Sequence, residues 1–230
     1  IEDFLKKENA SYKKLSYQEL PQAVADLIAQ EKVIGWFQGA AEFGPRALGA
    51  RSIIADARSS EMQSKINLKI KYRESFRPFA PTVLEDQAKY WFDLNCSSPY
   101  MLLVTKVKED KKVKDENCQV KLQGFEKLKA KRSQIPAVTH VDYSARIQTV
   151  SRKDNPLYYD LINAFFQKTG CPLIMNTSFN VRGEPPVLSP QDAFKCFMRT
   201  EMDYLIMGCF ILDKKYQAGL KKDVAGVKTI

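Results

Sequence analysis

Apolar residues along the chain follow two spacings, which predict alternating helices and strands. Leu20, Val24 and Ile28 lie at helical spacing after a capping box, Ser16 to Glu19, so a helix should begin there. Proline just after Asn155 and glycine at 170 mark the two ends of another helix. The predicted helices cover residues 17–31, 60–76, 84–92, 156–169 and 190–199.

Short apolar runs between these helices, bounded by Gly, Pro and polar residues, predict strands. The predicted strands cover residues 33–38, 52–55, 100–107, 137–141, 146–150, 172–175 and 203–212. The polar link at 141–146 predicts a hairpin, which requires antiparallel pairing. We therefore expect an α/β sandwich with a mixed sheet flanked by helices. A single domain over 1–230 is expected because no Pro- or Ser-rich linker divides the chain.

The composition is that of an ordinary globular protein. The 230 residues are 44% hydrophobic and 27% charged, with 10 Gly and 11 Pro, which excludes collagenous and wholly disordered classes. The five cysteines form no CxxC pair and there is a single histidine, so neither a disulfide framework nor a structural zinc site is expected. The formal net charge of +9 favours an anionic partner.

The chain carries no membrane or export signal in its sequence. No run of about 18 apolar residues occurs, and the first residues lack the basic-then-apolar order of a signal peptide. We expect a cytoplasmic protein that does not contact membranes. Because the chain begins with Ile1 rather than Met, we also expect that an N-terminal partner domain is missing.

Two segments supply most of the positive charge. Residues 106–132 carry ten Lys/Arg and five Asp/Glu, and residues 46–77 carry eight Lys/Arg and three Asp/Glu. The first segment is lysine-dominated, which predicts a solvated, peripheral insertion over 108–132 rather than a nucleic-acid site. The second is arginine-rich and interleaved with Gly, Pro and Phe. Arginine is the side chain suited to bidentate phosphate recognition.

The arginine-rich segment contains two candidate anion sites. Arg46 and Arg51 lie on a glycine-punctuated connection, where guanidinium and backbone N–H groups together can enclose an anion. Lys71 and Arg77 belong to a crowded cationic cluster flanked by prolines and phenylalanines, which indicates an anionic ligand. In both places surface ion pairs are the alternative, and Glu74 is the nearest carboxylate to the second cluster.

Three further positions are candidates on other elements. Ser178 and Asn180 follow a predicted buried strand, which is the usual place for a ligand site in an α/β fold; turn capping is the alternative. Arg146 stands in an apolar strand, and a charge facing a sheet requires a partner. His140 lies at a strand end, where a structural hydrogen bond competes with a role in binding.

These residues also carry a family resemblance. The stretches GPRALGARS (44–52), KYRESFRPFAP (71–81), THVD (139–142), ARIQTV (145–150) and NTSFNVRGEP (176–185) together resemble the C-terminal domain of NodU/CmcH-type O-carbamoyltransferases. The resemblance covers about residues 33–214 and leaves the lysine-rich insertion outside its motifs.

The resemblance implies a YrdC-like domain that binds ATP and carbamoyl phosphate and forms carbamoyl adenylate and pyrophosphate. It implies that Lys71 and Arg77 form a basic pair and that Ser178 and Asn180 form a Ser-x-Asn element. It implies that Arg46 and Arg146 are further ligand-facing arginines, and His140 lies in the THVD motif. On this basis the expected catalytic residues are Lys71, Arg77 and Arg46, and the expected substrate- or nucleotide-binding residues are Arg146, Ser178, Asn180 and His140. Members carry an N-terminal actin-like domain that passes the carbamoyl group to a hydroxyl acceptor. Mg²⁺ is expected with ATP, held by phosphates and water rather than by a protein cage.

Two other function classes remain open. YrdC-like folds are also associated with RNA binding, and a regulatory module without catalysis is the third possibility. RNA binding would use an exposed basic face with stacking aromatics. Arginines beside Gly, Pro and buried strands instead favour a concave pocket, so nucleic acid is the less favoured partner.

Overall fold

The computed structural model describes residues 1–113 and 130–218. Within these residues the strands form one nine-stranded sheet in the order β1-β9-β8-β2-β3-β7-β4-β6-β5. The strands are β1 (Lys13–Lys14), β2 (Ile34–Phe37), β3 (Arg51–Ala55), β4 (Ala80–Leu84), β5 (Leu103–Lys106), β6 (Ser144–Val150), β7 (Leu173–Ser178), β8 (Tyr204–Met207) and β9 (Phe210–Asp213).

The sheet is mixed, as the sequence predicts. The β2–β8 and β4–β6 pairs are parallel, and the remaining pairs are antiparallel. The central strands β2, β3 and β4 are buried along their whole length, which explains their continuous apolar runs.

Six α-helices accompany the sheet in the described part of the chain. They are α1 (Glu2–Lys7), α2 (Leu20–Ala29), α3 (Met62–Lys69), α4 (Ala88–Trp91), α5 (Pro156–Thr169) and α6 (Pro190–Arg199). Helix α2 packs against α5, and α6 packs against β8 and β2. Trp36, Tyr158, Phe165 and Phe197 are fully buried between these layers, and burying side chains of this size supplies the main favourable free energy of folding.

The predicted helix ends at α5 and α6 are confirmed. The Asn155 side chain accepts a hydrogen bond from Tyr158 N, and Gly170 closes α5 at φ 73°. Ser189 and Asp192 form a capping box at α6. Helices α2 and α3 are shorter than predicted, and no side chain caps α3.

The predicted hairpin of strands 137–141 and 146–150 is wrong. Residues Pro136–Val138 form a 3₁₀ turn, and β6 pairs with β4 and β5 instead. The proline fixes the first φ of the turn, and the Thr139 hydroxyl donates to Ile135 O at 2.9 Å. These two features favour a turn over an extended strand.

Two other predicted elements are corrected. The helix expected at 84–92 is preceded by strand β4, and only Ala88–Trp91 is α-helical after a 3₁₀ turn. The strand expected at 203–212 is a hairpin, β8 and β9. It turns at Gly208, whose φ of 58° lies in the left-handed region that suits glycine.

Most of the predicted insertion, residues 114–129, lies outside the described residues. The described residues on either side of this segment lie next to each other. Val113 N donates to Arg132 O at 2.9 Å, and Lys112 and Ser133 form an isolated antiparallel β-bridge. No helix within residues 1–113 and 130–218 is both long and apolar enough to cross a membrane.

Candidate functional site

A cavity of about 160 Å³ opens where the ends of several strands meet. The loop between β2 and β3, the segment after α3, and strands β4, β6 and β7 all contribute to its wall. Its described lining residues are Pro45, Arg46, Ala47, Arg73, Pro78, Phe79, Ala80, Met101, Arg146, Asn176, Thr177 and Ser178. Three of these side chains are cationic and none is acidic, so the cavity favours an anionic ligand.

Buried side chains hold the loop between β2 and β3 by its carbonyl groups. Asn176 Nδ2 donates to Ala47 O at 3.0 Å, Gln148 Nε2 to Leu48 O at 2.9 Å, and Trp36 Nε1 to Gly49 O at 2.9 Å. The three donors belong to three strands, so the sheet fixes the loop that carries Arg46.

The Glu42 carboxylate holds the same loop by its N–H groups. Its Oε1 accepts from Leu48 N and Ala50 N at 2.7 Å each and from Arg51 N at 3.2 Å. At Gly49 a Cβ would come within 2.4 Å of the Tyr158 ring, so only glycine fits there. The loop is therefore rigid before any ligand binds.

Arg46 and Arg146 face each other in the cavity without a compensating charge. The Nε atom of each is buried and has no hydrogen-bond partner, and neither forms an ion pair with any described residue. Burial, and the nearby charge of Arg46, lower the pKa of Arg146. Both side chains are partly buried, and two neighbouring cations without a carboxylate partner favour a bound anion.

Arg73 is a cavity residue that our sequence analysis did not select. Its Nε donates to Asn67 Oδ1 at 2.6 Å, and its guanidinium lies 5.1 Å from the Phe79 ring centroid. Burial, followed by the charge of Arg77, lowers its pKa. Its place in the cationic cluster at 71–77 was the available signal.

Lys71, Ser178 and Asn180 are brought together beside the cavity. Lys71 is 3% exposed, and its Nζ donates to Ser178 O, to Asn180 Oδ1 at 2.7 Å and to Asn180 O at 3.0 Å. The Ser178 hydroxyl donates to Asn180 Oδ1 at 2.7 Å. Burial, together with the charge of Arg73, lowers the pKa of Lys71 to about 7.

Arg77 is placed outside the cavity lining. Its Nε pairs with Glu74 at 2.8 Å, and its side chain is 46% exposed. This is the surface ion pair that the sequence leaves as the alternative. Its charge still reaches Arg73, and its role as a phosphate ligand stays a prediction.

His140 also lies beside the cavity rather than in its described lining. Its Nδ1 is 3.1 Å from the Ser144 hydroxyl, and its backbone N donates to Ser144 O at 2.8 Å. Burial lowers its pKa, with the Arg146 charge adding to the shift and Asp142 opposing it. These contacts fit the structural alternative, and the binding role of His140 stays a prediction.

The described residues provide no dedicated metal cage. No group of three or more His, Cys, Asp or Glu side chains within residues 1–113 and 130–218 could hold a metal ion. A larger surface groove of about 520 Å³ lies between α2 and α5, but Asp160 is the charged residue in its lining. That groove therefore lacks the cations that mark the cavity.

Comparison with known proteins agrees with this geometry. The family model Carbamoyltransferase C-terminus matches residues 25–214. The chain is 53% identical over 225 residues to uncharacterized protein sll1178 of Synechocystis sp., covering 97% of this chain and 37% of that protein. It is 44% identical over 200 residues to nodulation protein NolO of Bradyrhizobium diazoefficiens, covering 86% and 33%. The chain thus spans about a third of the length of these curated relatives.

The fold comparison concerns the architecture alone. The crystal structure of Escherichia coli YciO superposes with a TM-score of 0.51 at 13% identity, covering 86% of this chain and 82% of that one. This likeness confirms the predicted YrdC-like α/β fold. Because the family model matches residues 25–214 of the 230-residue sequence, the chain belongs to the carbamoyltransferase C-terminal family.

Proposed function

We propose that the cavity binds the phosphate groups of carbamoyl phosphate and ATP, and that the chain forms carbamoyl adenylate. The observation that carries this proposal is the lining itself, with Arg46, Arg73 and Arg146 and no carboxylate among the described lining residues. The unpaired Nε atoms of Arg46 and Arg146 supply donors for phosphate oxygens. Membership of a carbamoyltransferase family supports a transferase role.

The size of the cavity limits which part of a ligand it holds. Its volume of about 160 Å³ is below the roughly 300 Å³ at which pockets for drug-sized ligands begin. A phosphate-sized anion with a small acyl group suits such a space, whereas the nucleoside of ATP must lie outside it. The exposed ion pair of Arg77 and Glu74 follows the C-terminal end of α3, as Arg73 does.

The proposed chemistry proceeds in two balanced steps. Water attacks the carbonyl carbon of carbamoyl phosphate, the bond from that carbon to the phosphate oxygen breaks, and carbamate and phosphate form with release of a proton to solvent. A carbamate oxygen then attacks the α-phosphorus of ATP, the bond from that phosphorus to the oxygen bridging the β-phosphate breaks, and pyrophosphate leaves with the electron pair. Carbamoyl phosphate, carbamate, ATP and both phosphate products are anionic, so the main tasks of the protein are to neutralise charge and to align the reacting groups.

The residues of the site divide these tasks. The guanidinium groups of Arg46, Arg73 and Arg146 offset the phosphate charge, while Lys71 fixes the loop of Ser178 and Asn180 through its hydrogen bonds. The described lining has no carboxylate that could hold Mg²⁺. Mg²⁺ would enter with ATP and screen the charge of the leaving pyrophosphate.

The rest of the longer protein completes the proposed reaction. Curated relatives are about three times as long as the chain, which is consistent with the N-terminal actin-like domain implied by the family resemblance. We propose that this domain transfers the carbamoyl group from the adenylate to a hydroxyl acceptor. The cavity described here would then supply the activated carbamoyl group.

Calorimetry with carbamoyl phosphate and ATP tests the proposed function. Binding by the wild-type chain should weaken about 100-fold in Arg146→Ala, because charge-assisted hydrogen bonds to a phosphate are lost. Arg152→Ala is the matched control, since Arg152 is exposed and pairs with Asp160 at 3.1 Å. Equal binding by wild type and Arg146→Ala, with both folded, would contradict the proposal. Tight binding of an RNA oligonucleotide in place of both phosphates would favour the nucleic-acid alternative.

A further inference from the structure

A residue that lines the cavity, Asn176, carries a buried acceptor without a partner. Asn176 is 1% exposed on β7 and lines the cavity. Its Oδ1 has no hydrogen-bond partner, as is also true of the Nε atoms of Arg46 and Arg146. The described lining therefore leaves two kinds of polar atom unsatisfied, donors that suit an oxyanion and an acceptor that suits an N–H or O–H group.

The orientation of the Asn176 amide follows from its partners. Its Nδ2 lies 3.0 Å from Ala47 O, 3.0 Å from Gln148 Oε1 and 3.1 Å from the Thr82 hydroxyl. A backbone carbonyl can only accept, so turning the amide over would place two oxygens against each other at Ala47.

The Gln148 amide is fixed in the same way. Its Nε2 donates to Leu48 O at 2.9 Å, which leaves its Oε1 to face Asn176 Nδ2 and to accept from the Thr82 hydroxyl at 2.6 Å. Both N–H groups of Asn176 Nδ2 are therefore used in hydrogen bonds within the protein, and its Oδ1 remains available to a ligand. A buried acceptor that stays unpaired has a high free-energy cost.

We propose that Asn176 Oδ1 accepts a hydrogen bond from the NH₂ of the carbamoyl group and so selects carbamoyl phosphate over other acyl phosphates. This inference rests on the proposed function. In the bound state the phosphate oxygens accept from the arginines, and the amide N–H faces Asn176. A carbamoyl group meets both requirements because it joins an N–H donor to an anionic phosphate.

Acetyl phosphate is the discriminating ligand. It carries the same phosphate and carbonyl, but a methyl group replaces the NH₂. When it binds, the methyl group cannot donate to Asn176 Oδ1, so this buried acceptor stays unpaired. Sites that hydrogen-bond a substrate N–H reject the analogue that lacks it, because their buried polar group is left unpaired. We expect acetyl phosphate to bind about tenfold to 100-fold more weakly.

The test is calorimetry on the purified chain with carbamoyl phosphate, acetyl phosphate and inorganic phosphate, at low temperature because acyl phosphates hydrolyse. Wild type should prefer carbamoyl phosphate over acetyl phosphate by at least about tenfold. Asn176→Leu, which is nearly isosteric, should reduce this preference to about twofold or less. The variant also loses the hydrogen bond to Ala47 O, so the ratio of the two affinities is the readout, and binding of all three phosphates is expected to weaken.

Thr82→Val is the matched control. It removes a network partner of Asn176 Nδ2 and leaves Oδ1 in place, so it should lower the melting temperature but keep the preference for carbamoyl phosphate. If Asn176 only supports the loop, both variants weaken all three phosphates in parallel and the ratio stays at its wild-type value. That result would overturn the inference.

Two wild-type results separate this inference from the proposed function. Equal affinity for carbamoyl phosphate and acetyl phosphate overturns the selectivity of Asn176 and leaves phosphate binding intact. Failure to bind any of the three phosphates overturns the proposed function, and the role of Asn176 with it. The wild-type comparison needs no variant, so it stands even where Asn176→Leu does not fold.

Discussion

Arg46 lies on the loop between β2 and β3, and Arg51 lies five residues further on at the start of β3, yet their surroundings differ in kind. Arg51 is 5% exposed, and its Nη atoms donate to the carbonyls of Gln38 at 2.9 Å, Gly39 at 3.1 Å, Ala50 at 3.1 Å and Leu188 at 3.4 Å. Its guanidinium also lies 3.6 Å from the centroid of the Phe37 ring. Arg46 faces the cavity, where the described lining offers Arg73 and Arg146 as charged neighbours and no carboxylate.

The difference shows that burial alone does not identify a functional cation. Both arginines have a buried Nε without a partner. The two arginines differ in what their Nη groups contact. At Arg51 these groups donate to backbone carbonyls, whereas at Arg46 they remain available to the proposed ligand. Arg51 therefore stabilises the end of the loop, and Arg46 is the candidate for ligand binding.

The largest expected effect is on anion binding by Arg46→Met. Removing this guanidinium should weaken carbamoyl phosphate binding by about 100-fold, roughly 3 kcal/mol, because charge-assisted bonds are lost. Without ligand the melting temperature should stay the same or rise, since repulsion between Arg46 and Arg146 is relieved. Calorimetry and thermal unfolding measure the two effects. A clear fall in the melting temperature of the ligand-free protein would show that Arg46 is structural as well.

Arg51→Met should give the opposite result. Four carbonyl groups lose the hydrogen bond from Arg51, although Ala50 O still accepts from Gln38 N at 2.9 Å. A buried acceptor left unpaired costs about 1–3 kcal/mol. We expect the free energy of unfolding to fall by about 3 kcal/mol, measured by urea denaturation. An unchanged urea midpoint would remove the distinction between the two arginines.

Lys71 is a second buried cation that, like Arg51, donates to acceptors of the protein itself, here those of Ser178 and Asn180. Its pKa falls from 10.5 to about 7 on burial. Between those pH values the unfolded chain holds the proton and the folded chain releases it, so stability should rise with pH from about 7 to about 10.5. Lys214, whose pKa burial lowers to about 8, adds a similar slope. Urea denaturation across this window should show a smaller slope in Lys71→Met than in wild type, and equal slopes would contradict the assignment.

Arg77→Ala should have the smallest effect. The Arg77 side chain is half-exposed and paired with Glu74, and exposed pairs contribute about 0–1 kcal/mol. We expect carbamoyl phosphate to bind less than about fivefold more weakly, through the loss of long-range charge. A loss as large as that of Arg46→Met in the same titration would place Arg77 among the phosphate ligands, as the family resemblance implies.

Local signals in the sequence predicted the elements that depend on local chemistry. Asn155 with Pro156, Gly170, and Ser189 with Asp192 mark the ends of α5 and α6. Capping uses side chains and backbone groups within about four residues of each other. Such signals can be seen without knowledge of the rest of the fold.

Strand pairing was harder to predict because it depends on distant partners. The proline residues at 78 and 81 hid β4, since proline is unusual in a central strand, yet β4 lies between β7 and β6. The false hairpin at 137–150 came from reading an apolar turn as a strand. Its true neighbours, β4 and β5, precede it by some forty residues or more.

The candidate site was predicted in part for the same reason. Motif clustering selected Arg46, Arg146 and Ser178, which line the cavity. It passed over Asn176, because an apolar run ending in an amide looks like an ordinary strand end. Only the positions of Ala47, Gln148 and Thr82 show that its Nδ2 is already hydrogen-bonded within the protein, which leaves its Oδ1 without a partner. Sequence spacing does not contain that information.

Anchoring the loop carbonyls from three strands makes the cavity a late product of folding. Gln148 and Asn176 lie 100 and 129 residues from the carbonyls that they hold, whereas Trp36 lies 13 residues from Gly49. Contacts of the longer separation form slowly, so we expect the loop to settle only after the centre of the sheet has assembled, and partly folded chains should lack the proposed anion site. A bound phosphate would then slow unfolding while leaving the refolding rate unchanged. Ligand would act on the lifetime of the folded chain rather than on its formation.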